Sequence, residues 1–376
     1  MNTVMRGLDG VIVDETAICL ADKQKDRLYY RGFAIEELAE RCSYEEVAHL
    51  LMHGDLPGFA ALGGFKRKLA GLRELPEALK IVLERLPGNA DAMDVLRTGC
   101  SVLGSIEPET KDYGLIEIGT RLTACFPSML LYWHHFHQSG KRIETATDDD
   151  DVAGHLLHLL HGRAPDELTR RAIDVSLIVY AEHDFNASTF AARVATSTLS
   201  DAYSAFVAAI ATLRGPLHGS ANAGVLAMIS RFSSPEEAET AVMEMLAKKI
   251  RTPGFGQRAY STSDPRNAIN KKWAQKLSEA RGDRLLFDVS DRIEGVMKRE
   301  KDMFANLDYY TATIYKMCGL PVALFPPMFL IARVCGLVAH IAEQRKNNRL
   351  IHPSSRYVGP APRALPAPEE RGGLVN

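Results

Sequence analysis

The chain has 376 residues and a formal net charge of −2, with 46% hydrophobic and 24% charged residues. That length exceeds an ordinary single core, so one large domain or two are expected from this globular composition. The near balance of charge, with no long basic or interleaved basic-aromatic block, leaves no case for a nucleic-acid protein. Six scattered cysteines without a C-x-x-C pair fit buried thiols of a reducing compartment better than a disulfide framework or a zinc site. The first residues, M-N-T-V-M-R-G-L-D-G, hold neither an apolar leader core nor an Arg/Ser-rich amphipathic leader, and a cytoplasmic location is expected.

Residues 11–33 carry two β-leaning runs around a charged turn, which predicts a hairpin. Helical patterns follow. Ser43-Tyr-Glu-Glu46 is a capping box before Val47, Leu50 and Leu51, and Gly54 and Pro57 stop that helix. Amphipathic periods run through roughly 60–85, 91–104 and 111–137. The acidic run Thr147 to Asp151 reads as a solvated helix start rather than a metal site. His155, His158 and His161 follow at i, i+3 and i+6; zinc is conceivable, but the leucines between them favour a core helix with polar positions. Residues 172–183 form an apolar helix ending in Glu182-His183-Asp184, and Asn186-Ala-Ser-Thr189 restarts the chain. Residues 201–213 are apolar nearly all round, so that helix is buried. It ends at Arg214-Gly215-Pro216, before Leu217-His218-Gly219. Ser234-Pro235-Glu236-Glu237 is a strong helix start.

Pro253 to Arg266 reads P-G-F-G-Q-R-A-Y-S-T-S-D-P-R. Its glycines let backbone approach a ligand, and Gln257, Arg258 and Arg266 bring donors and positive charge, the ingredients of a phosphate or carboxylate site. Gln257 can donate a hydrogen bond but cannot give or take a proton. Helices are expected over roughly 267–280 and 284–301, and Asn306-Leu307-Asp308 precedes an aromatic helix. Val322 to Ala342 is apolar enough to suggest a membrane span, but Pro326, Pro327 and Arg333 interrupt it and favour a buried core helix. The Pro- and Arg-rich tail from His352 is irregular and expected to wrap another surface.

Four polar positions stand out in apolar or backbone-rich surroundings: His183, His218, Asp308 and Arg333. A buried guanidinium needs an anionic partner. For Arg333 that partner is either a structural carboxylate, Glu343 or Asp308, or a substrate carboxylate held bidentately. Alone, each histidine reads as a satisfied core residue and Asp308 reads as an N-cap. These residues by themselves support an α-helical enzyme for an anionic small molecule.

The wording of these segments resembles the citrate synthase family along nearly the whole chain. R-G-P-L-H-G-S-A-N (214–222), the P-G-F-G-Q-R-A-Y-S-T-S-D-P-R loop, N-L-D-Y-Y-T-A (306–312), I-A-R-V-C-G (331–336) and I-H-P-S-S-R-Y-V-G-P (351–360) are similar to family segments, in family order. Within the family the chain looks closest to 2-methylcitrate synthases. The supporting stretches include Gly154-His-Leu-Leu-His-Leu-Leu-His-Gly and Tyr180-Ala-Glu-His-Asp-Phe-Asn-Ala-Ser-Thr-Phe.

The resemblance implies an all-α, two-domain, dimeric fold with a small N-terminal β-hairpin. Residues 1–219 and 320–376 would form a large domain and 220–319 a small one, closing on the substrates. It implies condensation of an acyl-CoA, acetyl, propionyl or longer, with oxaloacetate or a related 2-oxo acid, followed by thioester hydrolysis. Acyl-CoA is then a co-substrate, and no bound cofactor, metal, membrane or nucleic acid is implied. Asp308 is the implied base and His218 the enol donor; His183, Asn186, Arg266 and Arg333 are implied to hold the oxo acid. Gly254, Phe255, Gly256 and Arg258 would lie against CoA. Gln257 stands where the family has its ketone-polarising histidine. Losing general-acid help costs roughly 10²–10⁴-fold where it operates. His352 stands where the family has an arginine that reaches the partner subunit's site, and Arg349 or Arg356 could compensate. Ala223 stands where relatives carry Glu or Gln. Two readings follow: an active alkylcitrate-type synthase with an altered oxo-acid end, or a non-catalytic CoA- or oxo-acid-binding or regulatory dimer.

Overall fold

The computed structural model describes residues 4–8, 10–219, 221–256, 259–368 and 371. Helices carry the fold, beside one antiparallel sheet of three short strands: β1 (Cys19–Asp22), β2 (Arg27–Tyr30) and β3 (Phe33–Ala34). β1 pairs with β2 in the register Cys19↔Tyr30 to Asp22↔Arg27, so the predicted hairpin is present but occupies only the second half of 11–33.

Short polar side chains start the helices where the sequence places them. Ser43 and Glu46 form the reciprocal capping box of Tyr44–His53, and Gly54 ends it in the left-handed region. Asp91, Asp151, Asn186, Asp201 and Ser234 each accept an N–H from the first turn of their own helix. Such caps contribute about 1 kcal/mol each. Three expectations need correction. The pattern over 60–85 is two helices, Phe59–Ala70 and Glu77–Arg85, because Gly71 and Pro76 interrupt it. The helix expected to reach His183 ends at Tyr180, and Asp184 turns in the left-handed region at φ 55°. Asp308 is not the N-cap of its helix. Asn306 caps Leu307–Met317 and accepts the Asp308 N–H, leaving the Asp308 carboxylate free for other work.

The Phe325–Lys346 helix is the axis of the core. Phe325 and every residue from Pro327 to Ile341 are buried. It has the length and apolarity of a membrane span, yet it packs against Tyr44–His53, Leu115–Ser139, Glu167–Tyr180 and Ala187–Ser197. The helices Ala221–Ile229, Pro235–Ala247, Pro265–Arg281, Leu285–Lys301 and Leu307–Met317 pack mainly on one another and meet the rest through Ile35–Arg41, Glu167–Tyr180 and the axial helix itself. His155 lies between Ser128 and Thr147, His158 on Asp149 and His161 on the Cys318 carbonyl, so the three histidines serve three separate contacts. All six cysteines are free thiols. The tail from Arg349 to Pro368 has almost no regular structure and is almost wholly exposed.

Gly336 sets how closely the segment after Tyr180 meets the axial helix. A Cβ there would lie 2.4 Å from the Ala181 carbonyl oxygen and 2.3 Å from Glu182 Oε2. Gly336→Ala is expected to lower the unfolding free energy by about 1–3 kcal/mol, because backbone must shift. Gly64→Ala, in a helix interior with nothing within 4 Å of the added methyl, is expected to be neutral or stabilising by up to about 1 kcal/mol. Urea denaturation of both variants checks the contrast.

Candidate active site

Helix ends and one axial helix bring the singled-out residues together. Tyr180, the last residue of Glu167–Tyr180, is the junction. Its hydroxyl donates to Asp308 Oδ1 at 2.5 Å, and its carbonyl accepts from Arg333 Nε at 2.8 Å. Phe329, one turn before Arg333, fills the space between them. Its ring lies 5.0 Å from that of Tyr180, 5.7 Å from that of His218 and 4.7 Å from the Arg333 guanidinium carbon.

Arg333 is 1% exposed, and its Nη1 has no hydrogen-bond partner among the described residues. Neither structural carboxylate proposed for it is used that way. Glu343 pairs with Arg193 at 2.6 Å, and Asp308 bonds Tyr180. Burial, with the nearby charge of Arg266, pushes the Arg333 guanidinium below its ordinary value, against the pull of Glu182. Glu182 is itself buried and bonded to His340 Nε2 at 2.9 Å. Arg266 is also buried, but Asp264 grips it through Nε at 3.0 Å and Nη2 at 2.8 Å. Burial would lower Arg266; Asp264 instead holds it above its ordinary value. Asp264 also accepts the Leu307 N–H at 3.2 Å, which ties the loop to the start of the Asp308 helix.

Both histidines are neutral. Desolvation, with the charge of Arg333, lowers His218 to about 4. Its Nε2 meets the Ser188 N–H at 3.2 Å and the Ser188 hydroxyl at 2.9 Å, in the first turn of Ala187–Ser197, so the other ring nitrogen, Nδ1, is the one left to face a ligand. Desolvation, then Arg266 and Arg333, push His183 well below its ordinary value; its Nε2 shares a 3.0 Å hydrogen bond with the Tyr260 hydroxyl. Burial raises the Asp308 carboxyl above its ordinary value, although the Tyr180 hydrogen bond and Arg266 oppose the shift.

The remaining predicted residues sit differently. Asn186 caps its helix, its oxygen accepting from Thr189 N–H at 3.2 Å and the Ser188 hydroxyl at 2.8 Å, and so aims Ser188 at His218. Gly254 takes φ 82°, but its close approach is to protein: a Cβ would lie 2.6 Å from Tyr309 and 2.8 Å from Val225. Its carbonyl accepts the Asn306 N–H at 2.9 Å, and Phe255 bridges Ala305. Gly256 is exposed. Gln257 and Arg258 lie outside the described residues. His352 is exposed in the tail, lining a cavity of about 880 Å³ with Phe185, Phe190 and the N-terminal segment. Sequence reasoning missed Tyr180, Ser188, Tyr260 and Phe329 as parts of the site. Phe329 could have been found from its i−4 spacing to Arg333. Nothing local marks the other three.

A mostly helical scaffold that keeps a carboxylate and two neutral imidazoles beside an under-satisfied guanidinium is built for proton transfer on an anionic substrate. Comparison with known proteins supplies the family. The family model described as citrate synthase, C-terminal domain, matches residues 7–354. A 2-methylcitrate synthase of Shewanella oneidensis is 48% identical, with 96% of each chain covered. A citrate synthase of Haloferax volcanii is 37% identical over 94% of this chain and 95% of its own. Among solved structures, a citrate synthase from Thermotoga maritima superposes with TM-score 0.88 at 35% identity, covering 99% of this chain and 100% of its own. A ternary complex of citrate synthase from Thermoplasma acidophilum with carboxymethyl coenzyme A and oxaloacetate superposes with TM-score 0.91 at 28% identity, with the same coverage. The chain belongs to the citrate synthase family.

A buried carboxyl such as Asp308 can take a proton only when ionised, so a reaction that depends on it is expected to lose kcat/KM as pH drops through a carboxylate pKa above the ordinary one. His218 stays neutral down to about 4 and so does not set that limb. Tyr180→Phe removes the hydrogen bond that favours the carboxylate, and its acid limb is expected to move to higher pH. Initial rates from pH 4.5 to 8 on both proteins decide it.

Proposed function

We propose that this chain is a 2-methylcitrate or alkylcitrate synthase that joins an acyl-CoA to oxaloacetate or a close 2-oxo acid and then hydrolyses the thioester, releasing CoA. The observation that carries this reading is Arg333: a buried guanidinium with a nitrogen unpartnered among the described residues, beside a raised carboxylate and an imidazole kept neutral by burial. In this reading the oxo acid's carboxylates lie on Arg333 and Arg266, with His183 donating from the side. Asp308 takes the α-proton of the thioester while His218 Nδ1–H stabilises the enol oxygen. The enol carbon attacks the ketone carbon as the thioester carbonyl re-forms, the ketone π electrons pass to its oxygen, and that alkoxide takes its proton from water; a second water then adds to the thioester carbonyl, and CoA leaves as the thiol while the acyl group becomes a carboxylate. Gln257 supplies a hydrogen bond to the ketone but no proton. Exposed Gly256 faces CoA, whereas Phe255 is buried against Tyr309 and serves the loop itself. The protein works as a cytoplasmic homodimer in which residues 220–319 close over the rest.

The non-catalytic reading draws only on Gln257 and His352. The retained base, donor and arginines and the similarity to named synthases outweigh it.

Free thiol release is the direct test. With oxaloacetate and a series of acyl-CoAs from acetyl to decanoyl, release is expected, with propionyl-CoA among the accepted substrates. Asp308→Ala is expected to lower kcat roughly 10²–10⁴-fold, and Gln257→His to raise it. Binding of CoA without release from any acyl-CoA would make the non-catalytic reading the right one.

A further inference from the structure

The tip of the β1–β2 hairpin makes a contact that the reaction does not require. Asp22 Oδ1 accepts the N–H of Gln24 and of Lys25, each at 3.1 Å, which stiffens the turn. Asp26 then turns at φ 51°, a conformation Asp tolerates better than most residues. Its carboxylate points away from the hairpin to a loop 235 residues later. Oδ1 accepts the Ser261 N–H at 2.6 Å; Oδ2 accepts the Thr262 N–H at 2.9 Å and the Thr262 hydroxyl. The Ser261 hydroxyl returns a bond to the Lys23 carbonyl at 3.0 Å. Against the desolvation of the contact, these bonds from Thr262 and Ser261 hold the Asp26 carboxyl below its ordinary value.

The other end of β2 is anchored in the site. The Tyr30 hydroxyl donates to the Glu182 carbonyl at 2.8 Å, one residue before His183. A strand rises about 3.3 Å per residue, so Asp26 and Tyr30 are the ends of a rod of about 13 Å. One end holds the neighbour of His183 and the other holds Ser261, the neighbour of Tyr260. His183 and Tyr260 are the pair that shares the 3.0 Å hydrogen bond.

We propose that this hairpin is a strut and that Asp26 is a positioning residue for the oxo acid: it fixes Ser261 and Thr262 so that Tyr260 meets His183 and Arg266 keeps its place in the site. The proposal rests on the synthase reading above. The contact lies at the surface, where charged groups add little to global stability, so positioning and stability separate.

Asp26→Ala, Asp26→Asn and Thr262→Val test it, with steady-state kinetics, thermal unfolding, and hydrogen exchange of the peptide spanning 259–264. In Asp26→Ala the KM for the oxo acid is expected to rise about tenfold, with the KM for acyl-CoA within about twofold and the melting temperature nearly unchanged. Exchange in 259–264 should quicken. Asp26→Asn keeps one acceptor and should fall between. An oxo-acid KM within about twofold of the parent, despite faster exchange, overturns the proposal, as does an equal loss toward both substrates. Should Asp26→Ala fail to fold, Thr262→Val, which removes one hydroxyl bond, decides: a rise of about threefold in that KM supports the strut and no rise overturns it. If the parent shows no turnover, the synthase reading fails by itself. Calorimetric titration with oxaloacetate then tests the strut, weaker binding by Asp26→Ala supporting it and equal binding overturning it.

Discussion

The structure depends on a guanidinium buried without enough partners. Arg333 sits on the most enclosed helix of the protein, holds one backbone carbonyl, and leaves Nη1 without a described partner. Water cannot relieve that charge, so the surroundings must. Glu182 offsets it only in part, because its carboxylate is also bound to His340. Arg266 adds a second buried positive charge, and Asp264 neutralises that one more fully. The net result is a positive field in a dry place, which favours an anion and keeps both His183 and His218 uncharged. Anion recognition and the presence of neutral hydrogen-bond donors therefore have one physical origin.

Tyr180 links that arrangement to the Asp308 carboxylate. Its carbonyl serves Arg333 and its hydroxyl serves Asp308, so the two cannot move independently. The helix caps complete the frame. Asn306 starts the helix that carries Asp308, and Asn186 starts the one whose Ser188 holds the His218 ring through Nε2. Asp308, placed in the first turn of a capped helix with Tyr180 packed against it, is held more tightly than a loop residue would be.

Much of this was legible in the residue order. The helix starts at Ser43, Asn186 and Ser234 follow from local chemistry, since a side-chain oxygen two or three residues before its N–H partner needs no distant help. The mixed character of Phe325–Lys346, apolar yet carrying an arginine, marked it as both core and site. The errors were also local in origin. A continuous period hid the break between Phe59–Ala70 and Glu77–Arg85, and Asp308 looked like a cap because the better cap, Asn306, stands two residues ahead. Gly254 looked like room for a ligand, but its space is taken by Tyr309 and Val225.

The sequence by itself determined which residue types were present for the chemistry and where the helices carrying them begin, because caps, turns and periodicity act over a few residues. Only the tertiary structure decided the partner of each charge. Glu343 went to Arg193, Asp308 to Tyr180 and Asp264 to Arg266, and Arg333 kept one nitrogen without a partner among the described residues. Apart from Asp264 and Arg266, those choices join segments more than a hundred residues apart. They follow from which helices pack against the axial one and from the desolvation that packing imposes, and neither is written in any short stretch of the chain.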